Sequence, residues 1–124
     1  MVRILLLLLS TSLLVPAATA QALDGRLKKI ADTKTITIAH RTDAAPFSFV
    51  DNSKEVTGYS VDLCRRIVAS IERQIGVKNL KVNYLPVTAQ NRLDAIIKGQ
   101  ADMECGATTV TLSREVSVPL GRST

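Results

Sequence analysis

Two arginines and one hydroxyl-bearing turn hold most of the chemistry available to this chain. Arg92 ends the run Thr88-Ala89-Gln90-Asn91-Arg92, and Thr108 and Thr109 end the run Glu104-Cys105-Gly106-Ala107-Thr108-Thr109. Arg41 follows the single histidine, His40. A guanidinium offers donors in a fixed fork that matches a carboxylate better than a lysine ammonium does. Arg41 and Arg92 are therefore candidates for two negative groups on a small ligand. Hydroxyls and backbone N–H groups at Thr108 and Thr109 would donate to a carboxylate, and the hydroxyl oxygens would accept from an ammonium. Ordinary uses compete with these: both arginines would serve as surface cations paired with Asp or Glu, and both threonines as local caps.

Catalysis finds less support. A histidine acting as base needs an orienting partner and a nearby nucleophile, and neither is identifiable around His40. Asp43, Asp62 and Glu104 are not spaced for paired acid and base work, so capping or solvation is their expected use. No cluster of His, Cys and carboxylates has metal-ligand spacing, and no glycine-rich loop follows the first strand to cradle a phosphate. The expectation is a binding protein, not an enzyme, with no cofactor and no metal.

The elements that would position these residues can be read from periodicity. Leu23, Leu27, Ile30 and Ala31 share one face of a short leading helix. Ile36 and Ile38 alternate with threonines in a first strand, and Phe47-Ser48-Phe49-Val50 is a second short extended piece ending in the turn-prone Asp51-Asn52-Ser53. Leu63, Ile67, Ile71 and Ile75 recur every fourth position in a helix over 62–75, widened by Cys64 and Val68, with Ser60 as its cap and Gly76 as its stop. Leu80, Val82 and Tyr84 alternate in a third strand. Ala89 to Lys98 is a second helix turning Leu93, Ile96 and Ile97 inward and stopped by Gly99. Ala101, Met103 and Cys105 form a fourth strand, and Thr111 or Ser113 caps a further short helix. Strand and helix alternate, which predicts an α/β sheet whose ligands collect at the carboxyl ends of its strands. Those ends carry His40 and Arg41, then Pro86 to Thr88, then Cys105 to Thr109.

The front of the chain is of a different kind. Arg3 precedes an apolar run that continues to about Pro16, and Ala18-Thr19-Ala20 supplies small residues for cleavage. The run is shorter than the roughly twenty residues that span a bilayer, so residues 1–20 are expected to be a signal peptide and the product periplasmic. The formal charge of +5 is spread over separated lysines and arginines, and neither Lys28-Lys29 nor Arg65-Arg66 sits among aromatics. Nucleic acid is not an expected partner. Cys64 and Cys105, the two cysteines, enter a compartment where disulfides persist. A bond between them would contribute on the order of 3 to 4 kcal/mol, but two separately buried thiols fit as well.

Four segments together carry a family resemblance: Ala45-Pro46-Phe47-Ser48-Phe49, Val56-Thr57-Gly58-Tyr59-Ser60-Val61-Asp62-Leu63, Val87-Thr88-Ala89-Gln90-Asn91-Arg92 and Asp102-Met103-Glu104-Cys105-Gly106-Ala107-Thr108-Thr109. From about Leu27 to Glu115 the chain resembles the N-terminal lobe of extracellular solute-binding proteins of family 3. Within it, the likeness is to periplasmic glutamate/aspartate-binding proteins of amino-acid ABC transporters. The resemblance implies a periplasmic binding protein-like (type II) lobe, an amino-acid ligand and an inner-membrane permease as partner. It implies that Arg41 approaches an acidic ligand side chain, that Arg92 grips the α-carboxylate with help from Thr109, and that the surroundings of Ala107 face the ammonium. Phe47 would wall the pocket or be ordinary core.

Two positions depart from the family pattern. The family member best suited to glutamate carries serine where this chain has Ala89 and Ala107, in Thr-Ser-Gln-Asn-Arg and Cys-Gly-Ser-Thr-Thr motifs. Each change removes a hydroxyl that would meet a polar ligand atom, and an unpaired buried polar group costs about 1 to 3 kcal/mol. Glutamine, asparagine or another polar amino acid therefore stays open beside glutamate and aspartate. Residues 21–34 read as an N-terminal segment and 35–115 as a partial first lobe. Residues 116–124 read as a divergent or truncated tail, where the family would continue through crossover strands into a second lobe. A nonfunctional fragment of such a receptor, or the same lobe from a periplasmic sensor or enzyme, are the alternative readings.

Overall fold

The computed structural model describes Leu23, residues 25–109 and residues 111–117. The expected signal peptide and the final residues of the tail lie outside the described residues. Helix α1 (Gly25–Thr33) leads into strand β1 (Thr35–Arg41), followed by β2 (Asp43–Ala44), β3 (Ser48–Val50) and β4 (Val56–Thr57). Then come helix α2 (Tyr59–Ile75), β5 (Lys81–Val87), α3 (Arg92–Ile97), β6 (Met103–Cys105) and α4 (Leu112–Ser117).

The main sheet has the order β5-β1-β6, and both neighbours run parallel to β1. Its two faces are covered by different elements, as a parallel sheet requires. Ile36 and Ile38 pack on one side with Ile30 of α1, Cys64 and Val68 of α2, Leu80 and Cys105. Ala39 faces the other way, with Val87, Ala95 and Ile96 of α3, and Ala101. The α/β architecture expected from the alternation of elements is therefore present. Arg26 of α1 donates to the carbonyls of Ile96 and Ala101, which end α3 and lead into β6. The Asp102 carboxylate accepts from the Thr37 backbone N–H and from Lys29, each at 2.8 Å. These contacts fasten α1 to the sheet at the end away from the carboxyl termini of its strands.

Several expectations need correction. A second antiparallel sheet, β2-β3-β4, stands where one extended piece was expected. The stripe on α2 is also turned. Leu63 and Ile67 are 41% and 47% exposed, whereas Val61, Cys64 and Val68 are buried and Ile71 and Ile75 pack beside the core. A strict four-residue repeat advances about 40° per step around a helix of 3.6 residues per turn, so residues 63 and 67 have rotated off the face that 71 and 75 occupy. The spacing from Val61 to Cys64 to Val68 alternates three and four and stays on it.

Ser60 does not cap α2. Gly58 occupies that position, and the first N–H groups are satisfied by backbone instead: Tyr59 donates to the Pro46 carbonyl at 3.0 Å and Ser60 to the Phe47 carbonyl at 2.9 Å. A side chain at Gly58 would overlap the Phe47 carbonyl, and its φ of 123° belongs to glycine. The second helix is shorter than expected, starting at Arg92 and leaving Ile97 exposed. Gly76 ends α2 in the left-handed conformation, and the Arg114 N–H donates to Thr111 Oγ1 at 3.4 Å at the start of α4, as the sequence suggested.

Candidate functional site

Parallel pairing brings three chain ends to one rim. His40 stands opposite Cys105 and Arg41 opposite Val87, so Arg41 and segments 88–92 and 105–109 all leave the sheet at its carboxyl edge. This is the edge where open α/β sheets gather ligands. The turn before α3 is closed reciprocally. The Thr88 N–H donates to Asn91 Oδ1 at 2.8 Å, and the Asn91 N–H donates to Thr88 Oγ1 at 3.2 Å. That arrangement has the logic of a capping box, and it fixes Arg92 as the first helical residue.

Arg92 is 8% exposed. Its Nε–H is buried without a hydrogen-bond partner, and the guanidinium enters none of the ion pairs found among the described residues. Burying a charge without a counter-charge is unfavourable, and a cation in the first turn of a helix also opposes the helix dipole. Both costs are relieved by an anion. The reading of Arg92 as a surface arginine paired with a carboxylate does not fit this environment.

Arg41 is held differently. Its Nε and Nη2 donate to Asp43 Oδ1 at 3.0 and 2.8 Å, and its side chain is 15% exposed against 71% for Asp43. Its backbone N–H donates to Ser48 Oγ at 3.0 Å, and Ser48 Oγ donates back to the Arg41 carbonyl at 3.2 Å. The fully buried Ser48 thus ties the end of β1 to the small sheet.

The turn after β6 is fastened at four points. Cys105 is bonded to Cys64 of α2 with a Cα separation of 6.3 Å, within the ordinary range for a disulfide. Ser60 Oγ donates to the Gly106 carbonyl at 3.0 Å. Thr108 Oγ1 donates to Glu104 Oε2 at 2.9 Å, and Arg114 Nη1 donates to the Thr109 carbonyl at 2.9 Å. Glu104 Oε1 is buried without a partner. A Cβ on Gly106 would overlap that oxygen and come within 3.5 Å of Arg41 Cγ, so Glu104, Gly106 and the stem of Arg41 are packed together.

The remaining candidates divide. Thr108 is half-buried, with its hydroxyl taken by Glu104, whereas Ala89, Ala107 and Thr109 are exposed along the rim. Phe47 is also exposed, which removes the ordinary-core reading and leaves it beside the start of α2. His40 is buried, with Nδ1 3.1 Å from the Arg41 carbonyl and its ring edge-on to Tyr84. Sequence reasoning passed over Ser48 and Arg114, read Ser60 only as a helix cap, and took Glu104 for a capping or solvated group. Short polar residues beside Pro46 and Gly58 carry no pattern that would have marked them. A hollow lined by Glu72, Arg73, Gly76 and Val77 follows the end of α2, away from this rim.

Comparison with known proteins agrees with this architecture. The "Glutamate/aspartate import solute-binding protein" of Escherichia coli is 38% identical over 112 residues, covering 90% of this chain and 37% of the relative. The "L-glutamate/L-aspartate-binding protein" of Pseudomonas aeruginosa is 39% identical over 116 residues, with 90% and 38% covered. The chain thus spans less than two fifths of the length of these relatives. Among solved structures, the cysteine-binding protein of Campylobacter jejuni superposes with a TM-score of 0.64 at 29% identity, covering 75% of this chain and 36% of that one. An ancestral cyclohexadienyl dehydratase gives a TM-score of 0.63 at 26% identity, with 77% and 36% covered, so the fold also hosts enzymes. The model of bacterial extracellular solute-binding proteins, family 3, matches residues 36–122, and the chain belongs to that family.

Proposed function

We infer that this chain is the amino-acid-binding lobe of the solute-binding component of an ABC importer, and that its ligand is a polar or acidic amino acid of the glutamate/aspartate type. The observation that carries this reading is Arg92, a nearly buried guanidinium without a counter-ion among the described residues, at the same rim as Arg41. Arg92 takes the α-carboxylate through charge-assisted hydrogen bonds, and Thr109 supplies a further donor. Arg41 meets a second negative group on the ligand side chain. The exposed segment around Ala107 faces the ammonium, and Phe47 flanks the pocket. Relatives named as import and binding proteins favour capture over catalysis. In this reading residues 1–20 direct export and are removed, residues 35–115 form the binding lobe, and the loaded protein meets an inner-membrane permease.

Calorimetric titration of the purified chain with glutamate, aspartate, glutamine and asparagine tests the proposal, after circular dichroism has shown that it is folded. Saturable binding to at least one of them is expected. A folded chain that binds none would refute the assignment of these residues.

A further inference from the structure

Arg41 and Arg92 are not equally available. Arg92 has no counter-ion among the described residues, whereas Arg41 already directs two donors at one oxygen of Asp43. We propose that Asp43 is a specificity-determining residue, a built-in carboxylate that competes with the ligand's side chain for Arg41. It shifts the site away from dicarboxylic amino acids and towards those with a neutral polar side chain. This proposal rests on the reading of the rim as an amino-acid site.

The two residues are built for such competition. Arg41 is mostly covered and is anchored by the paired hydrogen bonds between its main chain and Ser48. Asp43 stands at the start of β2, two residues on, and is largely exposed. Tethering across a single intervening residue keeps the carboxylate at high effective concentration beside the guanidinium. The pair itself is weak because its acidic partner is solvated. A ligand carboxylate can displace it, but it does so against competition and against the repulsion of a like charge that cannot diffuse away. An amide side chain meets no such repulsion. Asp43 thus acts on one ligand class and spares the other.

The test compares the chain with Asp43→Asn by calorimetry, using glutamate and glutamine. The substitution is expected to tighten glutamate binding by roughly threefold to fivefold, the upper part of the range for one exposed charge interaction, and to leave glutamine within about twofold. Asp32→Asn removes the same charge from α1, where it pairs with Lys28, and is expected to change neither affinity. Glutamate binding that is unchanged or weaker in Asp43→Asn would overturn the proposal, since Asp43 would then be inert or would orient Arg41 for its ligand. Equal tightening in Asp32→Asn would also overturn it, as an effect of net charge alone. If the folded chain binds neither amino acid with or without Asp43, the site assignment fails and this proposal with it. A failure confined to selectivity leaves the assignment standing.

Discussion

Replacing Arg92 with methionine should make the empty protein more stable while destroying its response to ligand. The substitution removes a charge that is 8% exposed and whose Nε–H has no partner. An unsatisfied buried polar group costs about 1 to 3 kcal/mol, and a cation in the first turn of a helix adds a few tenths more. Methionine has nearly the helix propensity of arginine, and it retains much of the aliphatic stem. Lost packing takes back about 1 kcal/mol. The net gain is then roughly 0.5 to 2 kcal/mol, and in a domain of about 100 residues each kcal/mol moves the midpoint by about 4 to 8 °C. Thermal melts followed by circular dichroism, without ligand and with excess glutamate, give the decisive comparison. Without ligand the variant should melt several degrees above the parent. With glutamate at about 100 times its Kd the parent should gain about 2.7 kcal/mol, the variant should gain almost nothing, and the order should reverse. A variant that melts below the parent without ligand would show that Arg92 has a structural partner. An equal ligand-induced rise in both would show that Arg92 does not hold the carboxylate.

Two further outcomes follow from the turn after β6. Replacing Cys64 and Cys105 together with alanine opens the loop closed by their 41-residue separation and should lower stability by about 3 to 4 kcal/mol; a urea midpoint that hardly moves would contradict this. Gly106→Ala places a methyl group against Glu104 Oε1, so it should expel the carboxylate, break its bond to Thr108 and weaken ligand binding by about tenfold. Adding Glu104→Ala should recover part of the stability lost in Gly106→Ala. Additive losses in that double-mutant cycle would mean that the two residues do not compete for the same space.

The sheet was legible because its signals are local. Alternating Ile36 and Ile38, the glycine stops at 76 and 99 and the cap at Thr111 each act within a few residues, and together they order the strands. Arg41, Arg92 and the 105–109 turn could be placed on one rim because parallel strands must all end in the same direction. What escaped depends on contacts distant in sequence. Nothing near Ser60 shows that its hydroxyl reaches Gly106, or that the Pro46 and Phe47 carbonyls take over its capping role. Leu63 and Ile67 looked like core because a four-residue repeat approximates a helical face over two turns and drifts from it over four. The small sheet was missed because β2 and β4 are two residues each, too short for any periodicity.

The unequal states of the two arginines imply a division of labour in the proposed site. Arg92 is desolvated by folding itself, so a ligand carboxylate arriving there finds the cation already stripped of water and gains more than it would at a hydrated surface. Every α-amino acid has that carboxylate, so Arg92 supplies affinity without choosing among side chains. Arg41 is screened by Asp43, and what a ligand gains there depends on whether its side chain can outcompete that carboxylate. Selectivity therefore resides in the second contact and affinity in the first. The two functions should separate by mutation: changes at Arg92 ought to scale all ligands alike, and changes at Asp43 ought to reorder them.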